Sequence, residues 1–209
     1  MTSKLRLRRL FKPGITLFAK LLSKMGVSPN LATVLMLLFA ILSSISLTFF
    51  NNYIFCALFI FMTGIFDGID GAIARYRNKN SFLGGFLDSV MDRFSEFIIF
   101  FGFLIFFDNK YLWNIIDMRI VILISLLSSI MISYMRTRGE TLVKGDFDVG
   151  LMARSERLFF LFLSFLLANF FGYINELLFL FMILVLLSAL YRFFKIKSII
   201  EQSEKNHLL

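Results

Sequence analysis

Histidine and cysteine are almost missing from this 209-residue chain, which holds one residue of each. The single cysteine, Cys56, cannot form a disulfide within the chain, so no disulfide framework supports the fold. The only histidine, His207, lies close to the end of the sequence. We therefore do not expect chemistry that depends on histidine, either as a general base or as a metal ligand.

Polar residues are scarce as well. Hydrophobic residues make up 58% of the chain, phenylalanine alone accounts for 29 positions, and the mean hydropathy is +0.81. A soluble domain of this size has too little interior to bury so much apolar surface. The amino terminus is too basic and too interrupted to be a cleaved signal peptide. The composition predicts an all-α integral membrane protein.

Six apolar runs predict six transmembrane helices, and most of them reach the roughly 20 residues that a bilayer core requires. The runs lie at approximately residues 31–50, 53–74, 83–106, 118–137, 155–171 and 177–196. We expect three parts: an N-terminal cytoplasmic segment over residues 1–30, a membrane domain over 31–200, and a polar tail over 201–209.

The N-terminal segment mixes leucine and phenylalanine with basic residues, and it is too interrupted to span a membrane. It predicts an interfacial amphipathic helix whose basic side meets anionic lipid headgroups. Anchoring by its positive charge alone is the alternative. Pro13 and Gly14 are expected to break the segment into two pieces, Gly26 to end it, and Pro29 to begin the first span.

The basic residues alternate between the two sides of the predicted bundle. They cluster before the first run and after the second, fourth and sixth runs, whereas the other loops hold only Lys110 and Arg119. By the positive-inside rule, both termini face the cytoplasm. The net charge of +8 is attributed to this topology, so no nucleic-acid partner is expected.

Four aspartates form an ordered pattern where the second run ends and the third begins. Asp67 and Asp70 are three residues apart, and Asp88 and Asp92 are four apart, so each pair shares one helix face. Antiparallel helices joined by a turn at 77–82 would direct all four carboxylates into one small volume. Because like charges repel strongly at low dielectric, cations must neutralise them. Oxygen ligands favour Mg²⁺, Mn²⁺ or Ca²⁺, and two such ions can clamp a diphosphate.

A purely structural explanation of the aspartates is also possible. Arg75 and Arg93 could pair with two of the acids as buried salt bridges. That would leave two carboxylates unpaired, and it does not explain Gly71 and Gly84, which allow backbone or ligand to approach closely. We therefore favour the metal site.

The stretch from Asp67 to Asp92, D-x-x-D-G-x-x-A-R-x8-G-x3-D-x3-D, resembles the signature of the CDP-alcohol phosphotransferases. These are integral-membrane enzymes of phospholipid headgroup synthesis. The resemblance implies transfer of a phosphatidyl-type group, with diacylglycerol or archaeol tails, from a CDP-linked lipid donor to an alcohol, with release of CMP. It also implies a homodimer among membrane lipids.

The resemblance assigns roles to individual residues. Asp67, Asp70, Asp88 and Asp92 would hold Mg²⁺ or Mn²⁺, two ions in all, and Asp92 would also accept the proton of the acceptor alcohol. The expected nucleotide-binding residues are Pro29, Asn30, Gly71, Ala74, Arg75, Ser81 and Gly84.

Arginines near the ends of the last three runs form a second pattern. R-x-R-x-E, a Gly/Asp loop and R-x-E-R together resemble the prokaryotic phosphatidylinositol phosphate and archaetidylinositol phosphate synthases, in which basic residues hold the phosphate of inositol 1-phosphate. The expected acceptor-phosphate residues are Arg136, Arg138, Arg154, Arg157 and Arg192. The planar fork of arginine suits phosphate oxygens. The alternative is positive-inside anchoring with salt bridges to Glu140 and Glu156.

Other functions stay open at this point. A phosphatidylglycerophosphate synthase, with glycerol 3-phosphate as acceptor, would also need arginines, and an enzyme using CDP-inositol is a further possibility. Outside the enzymes, a divalent-cation carrier could use membrane carboxylates, although their position near one membrane face argues against it. Gly64 and Gly68 form a GxxxG motif that permits close helix packing, within the bundle or in a dimer.

Overall fold

The computed structural model of the protein describes residues 7–77, 81–143 and 145–207, with backbone alone for residues 7–12, 206 and 207. The first residues of the N-terminal segment, the middle of the turn expected at 77–82, Lys144 and the end of the polar tail lie outside the described residues. The elements in chain order are α1 (Leu7–Lys24), α2 (Pro29–Thr48), α3 (Tyr53–Tyr76), α4 (Phe82–Phe106), β1 (Tyr111–Leu112), β2 (Ile116–Asp117), α5 (Met118–Leu142), α6 (Arg154–Phe171) and α7 (Ile174–His207).

Each of the six helices from α2 to α7 covers one of the six apolar runs, so the prediction of a helical bundle is confirmed, although α5 and α7 extend beyond their runs and α7 continues into the predicted polar tail. Four of them, α2, α3, α5 and α7, are long and apolar enough to cross a membrane. Helices α4 and α6 carry several charged residues among their apolar ones, and six membrane spans stay a prediction. Helix α7 has 34 residues, which corresponds to about 51 Å and exceeds the thickness of a bilayer core.

Helix α1 runs unbroken from Leu7 to Lys24 with Pro13 inside it, so the predicted break at Pro13 and Gly14 is wrong. An interior proline removes one helical hydrogen bond, but packing against α3 holds the helix on the carboxyl side of this position. Ala19 is buried, and Ile15 lies against Gly68 of α3.

The end of α1 follows its predicted signal. Gly26 adopts a left-handed conformation with φ of +92°, and Val27 N donates to the Leu22 carbonyl at 3.0 Å, which is a common helix ending. Arg77, just beyond α3, donates to the Ser23 hydroxyl at 2.8 Å and to the Ser23 carbonyl at 2.6 Å. These hydrogen bonds therefore connect the carboxyl ends of α1 and α3.

Helix α2 packs against both α3 and α4, whereas α3 and α4 have few direct contacts with each other. Polar side chains cap the amino-terminal ends of α2 and α3. Ser28 accepts from Leu31 N at 3.2 Å with Pro29 in the first turn, as predicted, and Asn52 accepts from Phe55 N at 2.9 Å. Because α2 stands between α3 and α4, a space remains where their polar ends face each other.

The GxxxG motif is used inside the bundle. A Cβ atom at Gly64 would lie 3.7 Å from Leu158 of α6, and one at Gly68 would lie 3.1 Å from Ile15 of α1. The two glycines thus let α3 approach a different helix at each position, and the motif gives no support to a dimer.

A short antiparallel pair, β1 with β2, joins α4 to α5 and was not predicted. Asp117 accepts from Arg119 N at 2.9 Å and starts α5. The Arg119 guanidinium also donates to Asp117 at 2.7 Å and to Asp108 at 2.6 Å. Side-chain and backbone hydrogen bonds from Arg119 hold the pKa of Asp117 below its ordinary value. This ion-pair cluster lies at the end of the bundle opposite the four aspartates.

The contact between α2 and α4 can be tested at Gly102. A methyl group there would approach the Oγ, Cβ and Cα atoms of Ser44 to within 2.6–2.9 Å, so the two helices must separate. We expect Gly102→Ala to destabilise the protein by about 1–3 kcal/mol, measured as a lower Tm in detergent.

Gly85→Ala is the matched control in the same helix, because a methyl group there meets nothing within 4 Å. Its Tm should stay the same or rise slightly, since alanine favours helix. Equal Tm values for the two variants would contradict this account of the packing.

Candidate active site

Three of the four predicted aspartates meet in one cluster. Asp67 lies in the second half of α3, and Asp88 and Asp92 lie one turn apart in the first half of α4. One carboxylate oxygen of each lies within 4.8 Å of the others. The spacing of the sequence predicted this convergence, and the space left between α3 and α4 accommodates it.

Asp70 lies to one side of this cluster and is almost fully buried. Thr33 of α2 donates to its Oδ2 atom at 3.1 Å, and Gly71 N donates to its Oδ1 atom at 2.5 Å. Asp88 borders two cavities, with Asp70 lining one and Asp67 and Asp92 lining the other. The acidic residues therefore form the boundary between two spaces.

The first space, here the glycine cavity, has a volume of about 700 Å³ and lies beside Asp70 and Asp88. Its lining includes all seven predicted nucleotide-binding residues: Pro29, Asn30, Gly71, Ala74, Arg75, Ser81 and Gly84. Ser81 also caps α4 by accepting from Gly84 N at 2.9 Å. A Cβ atom at Gly84 would lie only 2.9 Å from the Ser81 hydroxyl, so a larger residue there would displace this cap.

The second space, here the arginine cavity, has a volume of about 720 Å³ and lies beside Asp67, Asp88 and Asp92. Part of its wall is polar and includes four of the five predicted acceptor residues: Arg136, Arg154, Arg157 and Arg192. Another part is apolar and is formed by α1, α3 and α6 through residues such as Phe18, Phe61, Ile65 and Phe159. The arginine cavity therefore has a charged region and an apolar region.

Arg154, the first residue of α6, reaches into the acidic cluster itself. Its Nη1 atom donates to Asp67 and, at 2.5 Å, to Asp92. Its Nη2 atom donates to the Ser95 hydroxyl at 2.5 Å, while the buried Nε has no hydrogen-bond partner among the described residues. The guanidinium supplies positive charge where the carboxylates repel one another.

Arg157 is fully buried one turn further along α6. Its Nε and Nη2 atoms donate to the two carboxylate oxygens of Glu96, each at 2.8 Å, and Nη1 donates to the Met152 carbonyl at 3.0 Å. This guanidinium is engaged by protein groups on all three nitrogens. Its geometry is that of a link between α4 and α6 rather than of a group facing a ligand.

The other predicted arginines have three different surroundings. Arg136 pairs with Glu140 at 2.9 Å and with Asp148 at 3.1 Å at the rim of the arginine cavity. Arg192 is buried and donates to the Leu151 carbonyl at 3.0 Å. Arg138 is exposed and lines neither cavity, because two residues along a helix turn the side chain about 200° away from Arg136.

The salt bridges that the structural explanations predicted for the aspartates and for the second arginine pattern are found only in part. Arg93 lies 3.7 Å from the Asp92 carboxylate and also donates to the Ser89 carbonyl. Glu140 pairs with Arg136, as the alternative expected, but Glu156 instead accepts from Ala153 N at 3.0 Å and caps α6.

Sequence reasoning missed Thr33, Ser95 and Glu96, which all contact predicted site residues. Glu96 offered a signal that could have found it. It continues the four-residue series of Asp88 and Asp92 along one face of α4, and a charged residue inside an apolar run needs a partner. Thr33 and Ser95 are common helix residues whose sequence context carries no such signal.

Comparison with known proteins is consistent with this geometry. The profile of the family described as CDP-alcohol phosphatidyltransferase matches residues 26–200. Archaetidylinositol phosphate synthase of Pyrococcus horikoshii is 32% identical over 164 residues, which cover 78% of this chain and 81% of that protein. Phosphatidylinositol phosphate synthase of Streptomyces avermitilis is 33% identical over 159 residues, covering 72% of this chain and 61% of that protein.

Solved structures share the fold. The crystal structure of Mycobacterium tuberculosis phosphatidylinositol phosphate synthase with CDP-DAG bound has a TM-score of 0.73, with 24% identity, over 87% of this chain and 92% of that one. The structure of the same protein in complex with manganese and citrate has a TM-score of 0.75, with 24% identity, over 88% and 89% of the two chains. The chain therefore belongs to the CDP-alcohol phosphatidyltransferase family, as a membrane enzyme of phospholipid biosynthesis that transfers a phosphatidyl-type group from a CDP-linked lipid to an alcohol.

Proposed function

We propose that the alcohol acceptor is a phosphorylated polyol, inositol 1-phosphate, and that the enzyme makes the corresponding phosphatidylinositol or archaetidylinositol phosphate. The observation that carries the proposal is the acidic cluster between two cavities, one lined by the CDP-alcohol pattern and one by arginines. The names of the relatives from Pyrococcus horikoshii and Streptomyces avermitilis support the same acceptor.

Asp67, Asp88 and Asp92 fit a divalent metal. They offer oxygen atoms only, within 4.8 Å of one another, which suits Mg²⁺ or Mn²⁺ and not a sulfur- or nitrogen-seeking ion. Asp70 lies on the other side of Asp88, so we propose that the four carboxylates hold two ions. Bound ions of this kind neutralise a diphosphate and stabilise the charge that develops on its oxygens.

We propose that the glycine cavity receives the cytidine diphosphate of the donor. Pro29, Asn30 and Ala74 would contact the nucleoside, and Gly71 and Gly84 let its phosphates approach the backbone. The apolar wall of the arginine cavity, which α1 completes, suits the lipid tails.

In the arginine cavity, we propose that three guanidinium groups hold the acceptor phosphate: Arg136, Arg154 and Arg192. They come from three helices, and each borders the cavity. A phosphate that binds there competes with Asp148 and Glu140 for Arg136. Arg138 is left out of this set because it lines neither cavity, and Arg157 because Glu96 and Met152 engage it.

Asp92 is the group we assign to the acceptor proton. Its carboxylate lines the arginine cavity and lies beside Arg154. It would take the proton from the acceptor hydroxyl as that oxygen bonds to the lipid-linked phosphorus of the donor. The bond from this phosphorus to the bridging oxygen then breaks, and CMP leaves on the side of the glycine cavity.

Further features of the protein stay predictions. We infer that the acidic cluster and both termini face the cytoplasm, supported by the distribution of basic residues. Six membrane spans, the division at residues 30 and 200, and the interfacial role of α1 remain inferences from the sequence. A homodimer rests on the family resemblance alone.

Removal of a carboxylate tests the metal site. We expect Asp67→Asn or Asp88→Asn to lower CMP release by about 100-fold or more, because a charge-stabilising group at the reacting phosphates is lost. Mn²⁺ binding should weaken in parallel, and chelation of divalent ions should abolish activity of the unaltered protein. Asp108→Asn, at the opposite end of the bundle, is the control and should behave like the unaltered protein. If an Asp67 or Asp88 variant keeps more than about a tenth of the activity, the assignment of that residue to the metal site is wrong.

Asp92→Asn separates a proton acceptor from a metal ligand. If Asp92 mainly accepts the proton, the variant should have a much lower kcat but nearly unchanged affinity for the CDP-lipid, measured by binding without turnover. If affinity for the nucleotide collapses instead, Asp92 acts chiefly in holding metal.

The arginine cavity is tested by Arg136→Ala and Arg192→Ala, with Arg138→Ala as the control on the same helix as Arg136. The first two should raise the KM for inositol 1-phosphate by about 10- to 150-fold, since a charge-assisted contact contributes about 1.5–3 kcal/mol. The KM for the CDP-lipid should stay unchanged in all three. An equal effect from Arg138→Ala would contradict the assignment of the cavity.

An acceptor panel tests the proposed function directly. Purified protein should release CMP from CDP-diacylglycerol or CDP-archaeol with inositol 1-phosphate and should reject free inositol, which lacks the charged group. Faster turnover with glycerol 3-phosphate would instead favour a phosphatidylglycerophosphate synthase. Release that depends on CDP-inositol would favour a soluble donor.

A further inference from the structure

Two charged residues that the proposed reaction does not use form the most buried ion pair among the described residues. Arg157 has no exposed side-chain surface, and that of Glu96 is 4% exposed. Both nitrogen–oxygen distances are 2.8 Å, which is the geometry of a two-point arginine–carboxylate contact. The pair connects α4, which carries Asp88 and Asp92, with α6, which begins at Arg154.

The pair extends a ladder of contacts between these two helices. On α4, Asp92, Ser95 and Glu96 share one face, and on α6, Arg154 and Arg157 are one turn apart. Arg154 contacts Asp92 and Ser95, and Arg157 contacts Glu96. The backbone of α6 packs mainly against α3, so these long side chains connect the first turns of α6 with α4, while Phe103 and Phe165 pack together further along the two helices.

Arg157 also holds the chain that enters α6. Its Nη1 atom donates to the carbonyl of Met152, a residue with φ of +56°. A side-chain-bearing residue rarely adopts this conformation, so a specific contact is needed to keep it. Met152 lies two residues before Arg154, so the Arg157 guanidinium contacts both Glu96 of α4 and the segment that leads into the first turn of α6.

We propose that Glu96 and Arg157 are a positioning pair for the transfer reaction: they set the Arg154 guanidinium against Asp67 and Asp92 and into the acceptor space. Stability alone is a weak reason for such a pair, because apolar residues of similar size often replace a buried ion pair without loss. The proposal rests on the proposed function in assigning Arg154 to the acceptor phosphate.

The test replaces the pair by apolar residues of similar size, Glu96→Leu with Arg157→Met. We expect a protein that folds, with a KM for inositol 1-phosphate raised about 10- to 100-fold, as when supporting contacts around a site are lost. The KM for the CDP-lipid should not change. Arg157→Lys keeps the charge but not the two-point contact, and it should give an intermediate KM. If the double variant does not fold, the acceptor and CDP-lipid KM values are compared in Arg157→Lys instead.

Combination with Arg154→Ala separates positioning from general loosening. If the pair acts through Arg154, breaking it in an Arg154→Ala background should cause no further rise in the acceptor KM, so the effects are non-additive. Additive effects, an unchanged acceptor KM, or donor and acceptor KM values that rise together would each overturn the proposal. Arg119→Leu breaks the ion-pair cluster at the opposite end and should leave both KM values unchanged.

Failure of the proposed function would look different. It would appear in the unaltered protein as a preference for an acceptor other than inositol 1-phosphate. The Glu96 and Arg157 variants would then be assayed with that acceptor. An unchanged acceptor KM in a folded variant would overturn the proposed positioning role, independently of the proposed function.

Discussion

Mutual repulsion among partly buried carboxylates is the interaction that the architecture of this bundle has to accommodate. Asp67, Asp88 and Asp92 bring oxygen atoms within 4.8 Å of one another inside a helical bundle. At low dielectric this arrangement is strongly unfavourable unless positive charge lies close by. Arg154 meets part of that need from α6, and divalent ions are proposed to meet the remainder. The bundle keeps the space for them by placing α2 between α3 and α4.

The acids lie between two cavities, so an acceptor and a departing nucleotide could lie on opposite sides of them. Asp88 borders both cavities, so a diphosphate at the boundary would be open to the glycine cavity on one side and the arginine cavity on the other. Displacement at phosphorus proceeds with the entering and leaving oxygens roughly in line. Two opposed spaces suit this geometry, because the acceptor and the departing nucleotide need not occupy the same volume.

The five arginines of the second pattern look equivalent in the sequence but differ in the folded chain. Arg154 contacts carboxylates, Arg157 pairs with Glu96, and Arg192 holds a loop carbonyl. Arg136 pairs with Glu140 and Asp148, whereas Arg138 is exposed. Residue type predicted a cationic region, and the folded chain shows that four of the five arginines line the arginine cavity whereas Arg138 does not.

Helical periodicity is local and decides which side chains share a face, so the sequence was enough to predict the helices and the convergence of Asp67, Asp88 and Asp92. The seven residues expected at the nucleotide, which all line the glycine cavity, came from the family resemblance and not from periodicity. The folded chain was needed to show that α1 continues through Pro13, that Arg136 and not Arg138 faces the arginine cavity, and that Glu96 pairs with Arg157. These outcomes depend on which helices become neighbours, and α2 stands between two helices that are consecutive in the chain. Spacing along one helix carries no information about the partner that another helix brings to it.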